Sequence, residues 1–277
     1  MSWRTPICQL YRFGMQHLSQ PYAETNLSKP TMVFSPHQDD ETLGCGGTLI
    51  RKKQAGAVVK IVFMTDGCKS HAHLIPEADL RVIRAQEAVA AAQVLGLAPE
   101  DVIALNFTDG ALQESQAEAI QVVRSLLEIH RPEEIFLPCR EEPPTDHAVT
   151  YWIVQAALRQ TSLQPTLYEY PIWVWDQYPW TTGILGPQGK LAKLKITLSR
   201  GLGLPLLMQF RAAVPIQSVR DQKQTALAQH RSQMQRLIPS DSWTTLGDLS
   251  HGEFLQCFLQ NYEFFRVSRP AAPAHPV

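Results

Sequence analysis

The stretch Ser35-Pro36-His37-Gln38-Asp39-Asp40-Glu41-Thr42-Leu43-Gly44-Cys45-Gly46-Gly47 decides how the chain is read. Just ahead of it runs Met32-Val33-Phe34, a short apolar segment of the kind that ends a buried strand. His37, Asp39 and Asp40 therefore fall where a strand gives way to a loop, which is where open α/β sheets place ligands and reacting groups. One imidazole and two carboxylates this close together can bind a metal such as Zn2+ and still leave one carboxylate free as a base. A turn with an Asp helix cap is the plainer alternative. Against it, Asp39, Asp40 and Glu41 stand side by side and repel one another unless a cation or hydrogen bonds offset them.

Working outward, strand-like and helix-like patterns alternate. Strands are expected over 31–34, 58–64, 102–106, 134–137 and 166–170, and helices over 43–54, 81–95, 116–130, 147–160 and 220–237. The run 58–64 is almost continuously apolar, as a parallel strand covered on both faces should be. This alternation predicts an α/β fold of Rossmann-like type, a mostly parallel sheet with helices on both faces. The domain reading is an N-terminal extension over 1–30, one catalytic domain over 31–268 and a Pro/Ala tail over 269–277. Within the domain, 171–205 reads as an irregular wall or lid, with Trp173, Trp175, Tyr178 and Trp180 near its start.

Composition narrows the class. At 277 residues the chain can bury one large core, and 44% hydrophobic, 18% charged residues with net charge -1 describe an ordinary soluble enzyme or binding domain. Near-neutrality gives no global electrostatic reason to expect nucleic acid or an anionic membrane as partner. No apolar run approaches the roughly 20 residues of a transmembrane helix. The first residues lack the apolar core and cleavage site of a secretory signal. Five scattered cysteines without a C-x-x-C pair fit free thiols in a reducing cytoplasm, with Cys45 and Cys68 read as small buried hydrophobes.

A second cluster follows the strand at 134–137. Residues 138–147 read P-C-R-E-E-P-P-T-D-H and run straight into a helix. His147 at that helix entry lies on the same sheet edge as His37 and can supply a third ligand, with Asp146 orienting an imidazole from behind. Two strand exits thus converge on one metal-sized constellation.

The segment P-H-Q-D-D-E-T-L-G-C-G-G-T-L resembles the P-H-x-D-D-E-x-L-G-x-G-G-T motif of the LmbE-like, or PIG-L, zinc-dependent N-deacetylases. Further matches are T-D-G at 65–67 and 108–110, Arg84-x-x-Glu87 in an Ala-rich helix, Asp146-His147, and K-Q-T-A-L-A-Q-H-R-S-Q at 223–233. The resemblance implies His37, Asp40 and His147 as Zn2+ ligands and Asp39 as the base that takes a proton from the zinc-bound water. Asp146, Lys69, His71, Arg84 and Asp109 are the supporting candidates. The family pattern makes Arg84 and Glu87 braces for the active-site loops. Asp66 and Asp109 are turn residues by default, able to hydrogen-bond a ligand His or the substrate. His230 is read as structural or at a pocket rim.

One position departs from the pattern. Where many members carry a His that stabilises the oxyanion or protonates the leaving nitrogen, this chain has Pro144, which has no donor to give. Lys69, His71, His73, Glu141 and Glu142 are the candidates to replace it. The resulting expectation is a cytoplasmic Zn-dependent amidohydrolase that removes an acetyl or acyl group from the amide nitrogen of an amino-sugar conjugate. Its partner is then that small molecule, with no nucleic acid and no transmembrane segment, and a homo-oligomer is compatible. The alternative is a metal-holding sugar- or nucleotide-binding protein impaired at Pro144. A dinucleotide site at Gly44, Gly46 and Gly47 is disfavoured, because the preceding carboxylates would face a pyrophosphate.

Overall fold

The computed structural model describes residues 4–143, 145–177, 195, 198, 199 and 201–270. Pro144, Tyr178 and Trp180 lie outside the described residues, as do much of the 171–205 segment and positions 271–277 of the tail.

Eight strands form one sheet: β1 (Gln20–Pro21), β2 (Thr31–Ser35), β3 (Val59–Thr65), β4 (Val102–Phe107), β5 (Glu134–Pro138), β6 (Thr166–Tyr170), β7 (Ala212–Pro215) and β8 (Tyr262–Ser268). Their order is β1-β7-β8-β6-β5-β2-β3-β4. Only β8 runs against its neighbours β6 and β7; every other pairing is parallel. The α/β fold expected from the alternating pattern is the fold observed.

Strand alternation builds two cores from one sheet. Successive side chains of a strand point to opposite faces. Val33, Ile61, Phe63 and Phe136 therefore join one apolar cluster, while Met32, Phe34, Val62, Ile135 and Leu137 join the other. Helices α2 (Asp40–Gln54) and α3 (Glu77–Val94) cover the first face through Leu43, Leu49, Ala88 and Ala92. Helices α4 (Gln116–His130) and α5 (Asp146–Arg159) cover the second through Val123, Leu127, Ile153 and Val154. The close approach of α2 needs glycine: a Cβ on Gly44 would sit 2.5 Å from the Tyr170 ring, and one on Gly47 2.7 Å from Ile216.

The chain proceeds from β2 to β3 and β4 on one side, then returns to place β5 and β6 on the other. The strand order therefore reverses between β2 and β5. Their carboxyl ends open a crevice there, the usual ligand position in such sheets.

Several expected boundaries moved. Helix α2 starts at Asp40, three residues earlier than the expected 43, which puts Asp40 and Glu41 in its first turn, where the helix dipole favours carboxylates. The expected helix over 220–237 breaks into Arg220–Leu227 and Arg231–Met234, because His230 turns inward at φ -74°, ψ 61° toward Glu41. The N-terminal stretch carries α1 (Arg4–Leu18) and contributes β1 to the sheet. Among the described residues, no helix is long and apolar enough to cross a membrane.

Candidate metal centre and active site

The loop leaving β2 and the start of α2 form the centre of the crevice. Asp39 is the hinge of that loop, with φ 146° and ψ -27°, a conformation that costs a non-glycine residue about 1–3 kcal/mol. A buried relay holds it there. Glu41 Oε2 accepts the Asp39 backbone N–H at 3.0 Å, and Glu41 Oε1 lies 3.1 Å from His230 Nε2 and accepts the Thr42 hydroxyl at 2.5 Å. From α3, the Arg84 guanidinium donates to the Gly67 carbonyl at 3.0 Å and the Gln38 carbonyl at 2.5 Å, and sits 3.5 Å from Asp39 Oδ1. Glu87 does not pair with Arg84; it accepts the Ser232 N–H at 2.8 Å and the Ser232 hydroxyl at 2.6 Å. Arg84, Glu87 and His230 are thus buried braces.

His37, Asp40 and His147 come together as a set able to hold a metal, one donor atom from each lying within 4.8 Å of the others. Asp40 Oδ2 accepts the His37 backbone N–H at 3.1 Å and lies 3.3 Å from both His37 Nδ1 and His147 Nε2. Burial raises the Asp40 pKa, but the two imidazoles outweigh it and hold the carboxyl below its ordinary range. Burial pushes His147 down to about 4, so its ring is neutral at neutral pH.

The Trp173 indole N–H points at His147 Nε2 from 3.2 Å. A neutral His147 that accepts this hydrogen bond turns its lone pair toward Asp40 as well, whereas one protonated at Nε2 turns N–H toward N–H. Neither tautomer satisfies both neighbours. A cation between the imidazoles and Asp40 satisfies the carboxylate and the lone pair, so the donor set fits a borderline divalent metal such as Zn2+.

Both imidazoles are held from behind. His37 Nε2 faces Asp109 Oδ1 at 3.2 Å and Asp146 Oδ2 at 3.3 Å, an arrangement that presents Nδ1 to Asp40 and the metal position. Burial lowers the His37 pKa, but hydrogen bonds to Asp109, Asp146 and Asp40 raise it well above the ordinary value. Asp146 is fixed by the backbone N–H groups of Gly110 at 2.7 Å and Leu112 at 3.2 Å. Asp109 accepts the Lys69 N–H at 2.8 Å and donates its own N–H to Asp66 at 3.3 Å. The two T-D-G turns are thereby stitched together behind His37.

Behind His147 lies Glu142, its Oε2 3.6 Å from His147 Nδ1, an atom without a hydrogen-bond partner among the described residues. Burial pushes Glu142 up to about 8, against the backbone N–H groups of Ile172, Trp173 and Val174 that it accepts. Neither Glu141 nor Glu142 is placed to serve as the acid missing at 144: Glu142 is buried behind the imidazole, and Glu141 pairs with Arg266.

Above this floor is a cavity of about 440 Å³, lined by His37, Asp39, Asp40, His147, Lys69, His71, Arg84 and Asp109 among others. His71 is engaged as wall: its ring stacks on Trp243 at 4.2 Å and its Nε2 sits 3.0 Å from the Thr244 carbonyl, while burial lowers its pKa. Lys69 is solvent-exposed at the cavity edge. Further parts of the wall come from His73, Trp173, Gln233, Thr245, Leu249 and Phe254, with the Trp173 and Phe254 rings stacked at 5.2 Å. Of these six, His73 and Trp173 are named in the sequence reading and Gln233 falls at the end of the 223–233 motif match, while Glu41 enters only as part of the acidic run.

Residues 32–158 match the sequence family described as GlcNAc-PI de-N-acetylase, PIG-L. That segment is a PIG-L family domain. The PIG-L domain contains all four central residues, His37, Asp39, Asp40 and His147. Solved structures resemble most of the chain. N,N'-diacetylchitobiose deacetylase from Pyrococcus horikoshii superposes with a TM-score of 0.59 at 20% identity, over 98% of this chain and 94% of that one. The zinc-inhibited form of teicoplanin deacetylase Orf2 gives 0.55 at 19% identity, over 87% and 98%. GalB, the 4-carboxy-2-hydroxymuconate hydratase of Pseudomonas putida KT2440, gives 0.54 at 14% identity, over 90% and 99%. At these identities the likeness establishes the fold.

Proposed function

We propose that the chain is a metal-dependent N-deacetylase that hydrolyses the acetamide of an amino-sugar conjugate. The observation that carries this reading is the division of labour between adjacent carboxylates. Asp40 closes the three-donor set with His37 and His147, while Asp39 stands outside that set and still lines the cavity. Zn2+ held by those three residues supplies Lewis-acid polarisation of the amide carbonyl and acidifies a water.

The remaining steps belong to the chain. Burial lifts the Asp39 carboxyl to about 7, with Arg84 opposing and Asp40 adding, so it can take the proton of the attacking water near neutral pH. The same carboxyl can pass that proton to the leaving amine. Arg84 and the Glu41–His230 relay keep it aimed at the cavity. Lys69 is the group we assign to the developing charge in place of the donor missing at 144. The stacked Trp173 and Phe254 rings offer an apolar platform for a sugar face.

The family match and the two deacetylases among the structural relatives support this reading. The hydratase relative shows that the fold alone does not decide the reaction. Four described cysteines, Cys45, Cys68, Cys139 and Cys257, are buried and form no disulfide among the described residues. The test is zinc content and acetate release on a panel of N-acetylated amino sugars, for the wild type and Asp39→Ala. The expected result is metal in both proteins and turnover about 10²–10⁴-fold lower in the variant. Bound zinc without hydrolysis of any panel member, together with sugar binding unaffected by Asp39→Ala, would establish the impaired binding protein instead.

A further inference from the structure

Helix α2 carries Asp40 in its first turn, and a buried ion pair reaches into the helix just behind that turn. In an α-helix the N–H of residue i donates to the carbonyl of residue i−4, so Leu43 and Gly47 are natural partners. Both are engaged from outside the helix. The Lys223 ammonium donates to the Leu43 carbonyl at 2.8 Å, and Glu263 Oε1 accepts the Gly47 N–H at 2.8 Å. Glu263 Oε2 accepts the Thr48 N–H at 2.7 Å and the Thr48 hydroxyl at 2.6 Å. Lys223 Nζ lies 2.8 Å from Glu263 Oε1, and its third bond goes to the Phe258 carbonyl at 2.9 Å. The cation thus meets a carbonyl and the carboxylate meets two N–H groups, the pairing that suits free helix ends.

Leu43 passes this contact on to the site. Its own N–H donates to the Asp39 carbonyl at 2.8 Å, and it lines the cavity. Lys223 and Glu263 are both buried. A buried ion pair adds little net stability over a well-packed apolar pair of similar volume, so stability alone is a weak reason for this one. A matched pair on the same helix separates geometry from stability. Lys52, in the last turn of α2, lies 2.7 Å from Glu134, and both side chains are fully buried. Lys52 also donates to the Asn26 carbonyl at 2.8 Å. Glu134 opens β5, so this second pair sits at the amino edge of the sheet, away from the donors that follow β2 and β5.

We propose that Lys223 and Glu263 are positioning residues for the metal centre: inserted into α2 behind its first turn, the pair fixes the turn that aims Asp40 at the metal and Asp39 at the cavity. This rests on the metal-dependent reading given above. A ligand set works only within about 0.5 Å of its productive geometry, a tolerance that a fraying first turn exceeds. The Lys52–Glu134 pair holds the far end of the same helix and leaves that turn untouched.

The test compares two double variants of the full chain, Lys223→Met with Glu263→Gln and Lys52→Met with Glu134→Gln. Each replaces a buried pair by uncharged side chains of similar length. Wild type and variants are loaded with Zn2+ against a competing chelator and, separately, with Co2+, whose visible spectrum reports the number and arrangement of its ligands. The first variant should bind Zn2+ about tenfold more weakly and alter the cobalt spectrum. The second should keep the wild-type affinity and spectrum, whatever its Tm. Melting curves check folding. If the first variant is not folded, Glu263→Asp decides in its place: it keeps the charge, shortens the reach by a methylene and should move both readouts in the same direction by a smaller factor. A wild type that takes up neither metal overturns the metal-dependent reading and the proposal with it. A wild type that loads normally beside an unaltered Lys223–Glu263 variant overturns the proposal alone, as do equal shifts in both pairs.

Discussion

The floor of the cavity and its outer wall are built on different plans. Every floor residue sits where a parallel strand meets a loop or helix: His37, Asp39 and Asp40 after β2, Asp109 after β4, His147 after β5. Backbone hydrogen bonds fix them from several sides, as when Gly110 and Leu112 hold Asp146. Most of the wall comes from turns late in the chain, joined by scattered tertiary bonds such as the Leu246 N–H to the Gln233 carbonyl at 2.8 Å, Trp243 Nε1 to the Ser232 carbonyl at 2.9 Å and Arg236 Nε to the Trp243 carbonyl at 3.2 Å. A rigid sheet edge can hold a metal in fixed geometry, whereas irregular loops can vary in shape without disturbing it. The floor should therefore govern metal and chemistry, and the wall should govern which conjugate is bound.

The strongest way to break that comparison is to remove a floor donor. Asp40→Ala and His147→Ala should lose the metal on dialysis and drop kcat/KM by on the order of 10³ or more. Metal analysis alongside kinetics checks it. If either variant keeps full metal and activity, the donor set is wrong.

Glu142→Gln probes the floor one layer further out. Losing the carboxylate behind His147 should weaken metal binding by about 10–100-fold. The variant also carries a pH signature. With its pKa raised to about 8, folded Glu142 keeps a proton that the unfolded chain releases from its ordinary value near 4.5 upward. The metal-free wild type therefore loses stability as pH rises through that window, and the loss is complete above 8. In metal-free Glu142→Gln, Tm should fall less steeply over the same range. Parallel Tm profiles for the two proteins would show that Glu142 is not held protonated.

The same contrast explains what could be read from the sequence. The apolar pattern was enough to locate the five contiguous parallel strands β2–β6 and their helices, because period and burial are local signals. Adjacent acids at 39–41 and the pair at 146–147 announced the floor. Strand β8 was not legible, since Glu263 and Arg266 interrupt its apolar pattern and find their partners far away in the chain: Gly47, Thr48 and Lys223 for Glu263, and Glu141, Glu169 and Gln209 for Arg266. The break before Arg231 was hidden for the same reason: 223–233 has helical composition, and only the buried Glu41 draws His230 out of line. Wall residues such as Leu249 and Phe254 carry no chemistry that marks them in a single sequence.

For the wall, Leu249→Ala should raise KM by about three- to tenfold, as expected for losing a few buried methylene equivalents, with metal affinity unchanged. A variant that altered metal affinity instead would erase the distinction between the two regions.

The smallest effect is expected where floor and wall touch, at Trp173. Its indole N–H competes with a metal for the lone pair of His147 Nε2 across 3.2 Å, while its ring remains stacked on Phe254. Trp173→Phe deletes the N–H and keeps an aromatic ring. A neutral hydrogen bond contributes about 0.5–1.5 kcal/mol, so metal affinity should rise by roughly two- to tenfold once that competitor is gone. Trp173→Ala also deletes the N–H but removes the stack, so it should show the same gain in metal affinity together with a higher KM. Competition against a chelator of known affinity measures the first quantity, and initial rates measure the second. Weaker metal binding in Trp173→Phe would mean that the indole steadies His147 for the metal, and the boundary between floor and wall would then pass outside Trp173.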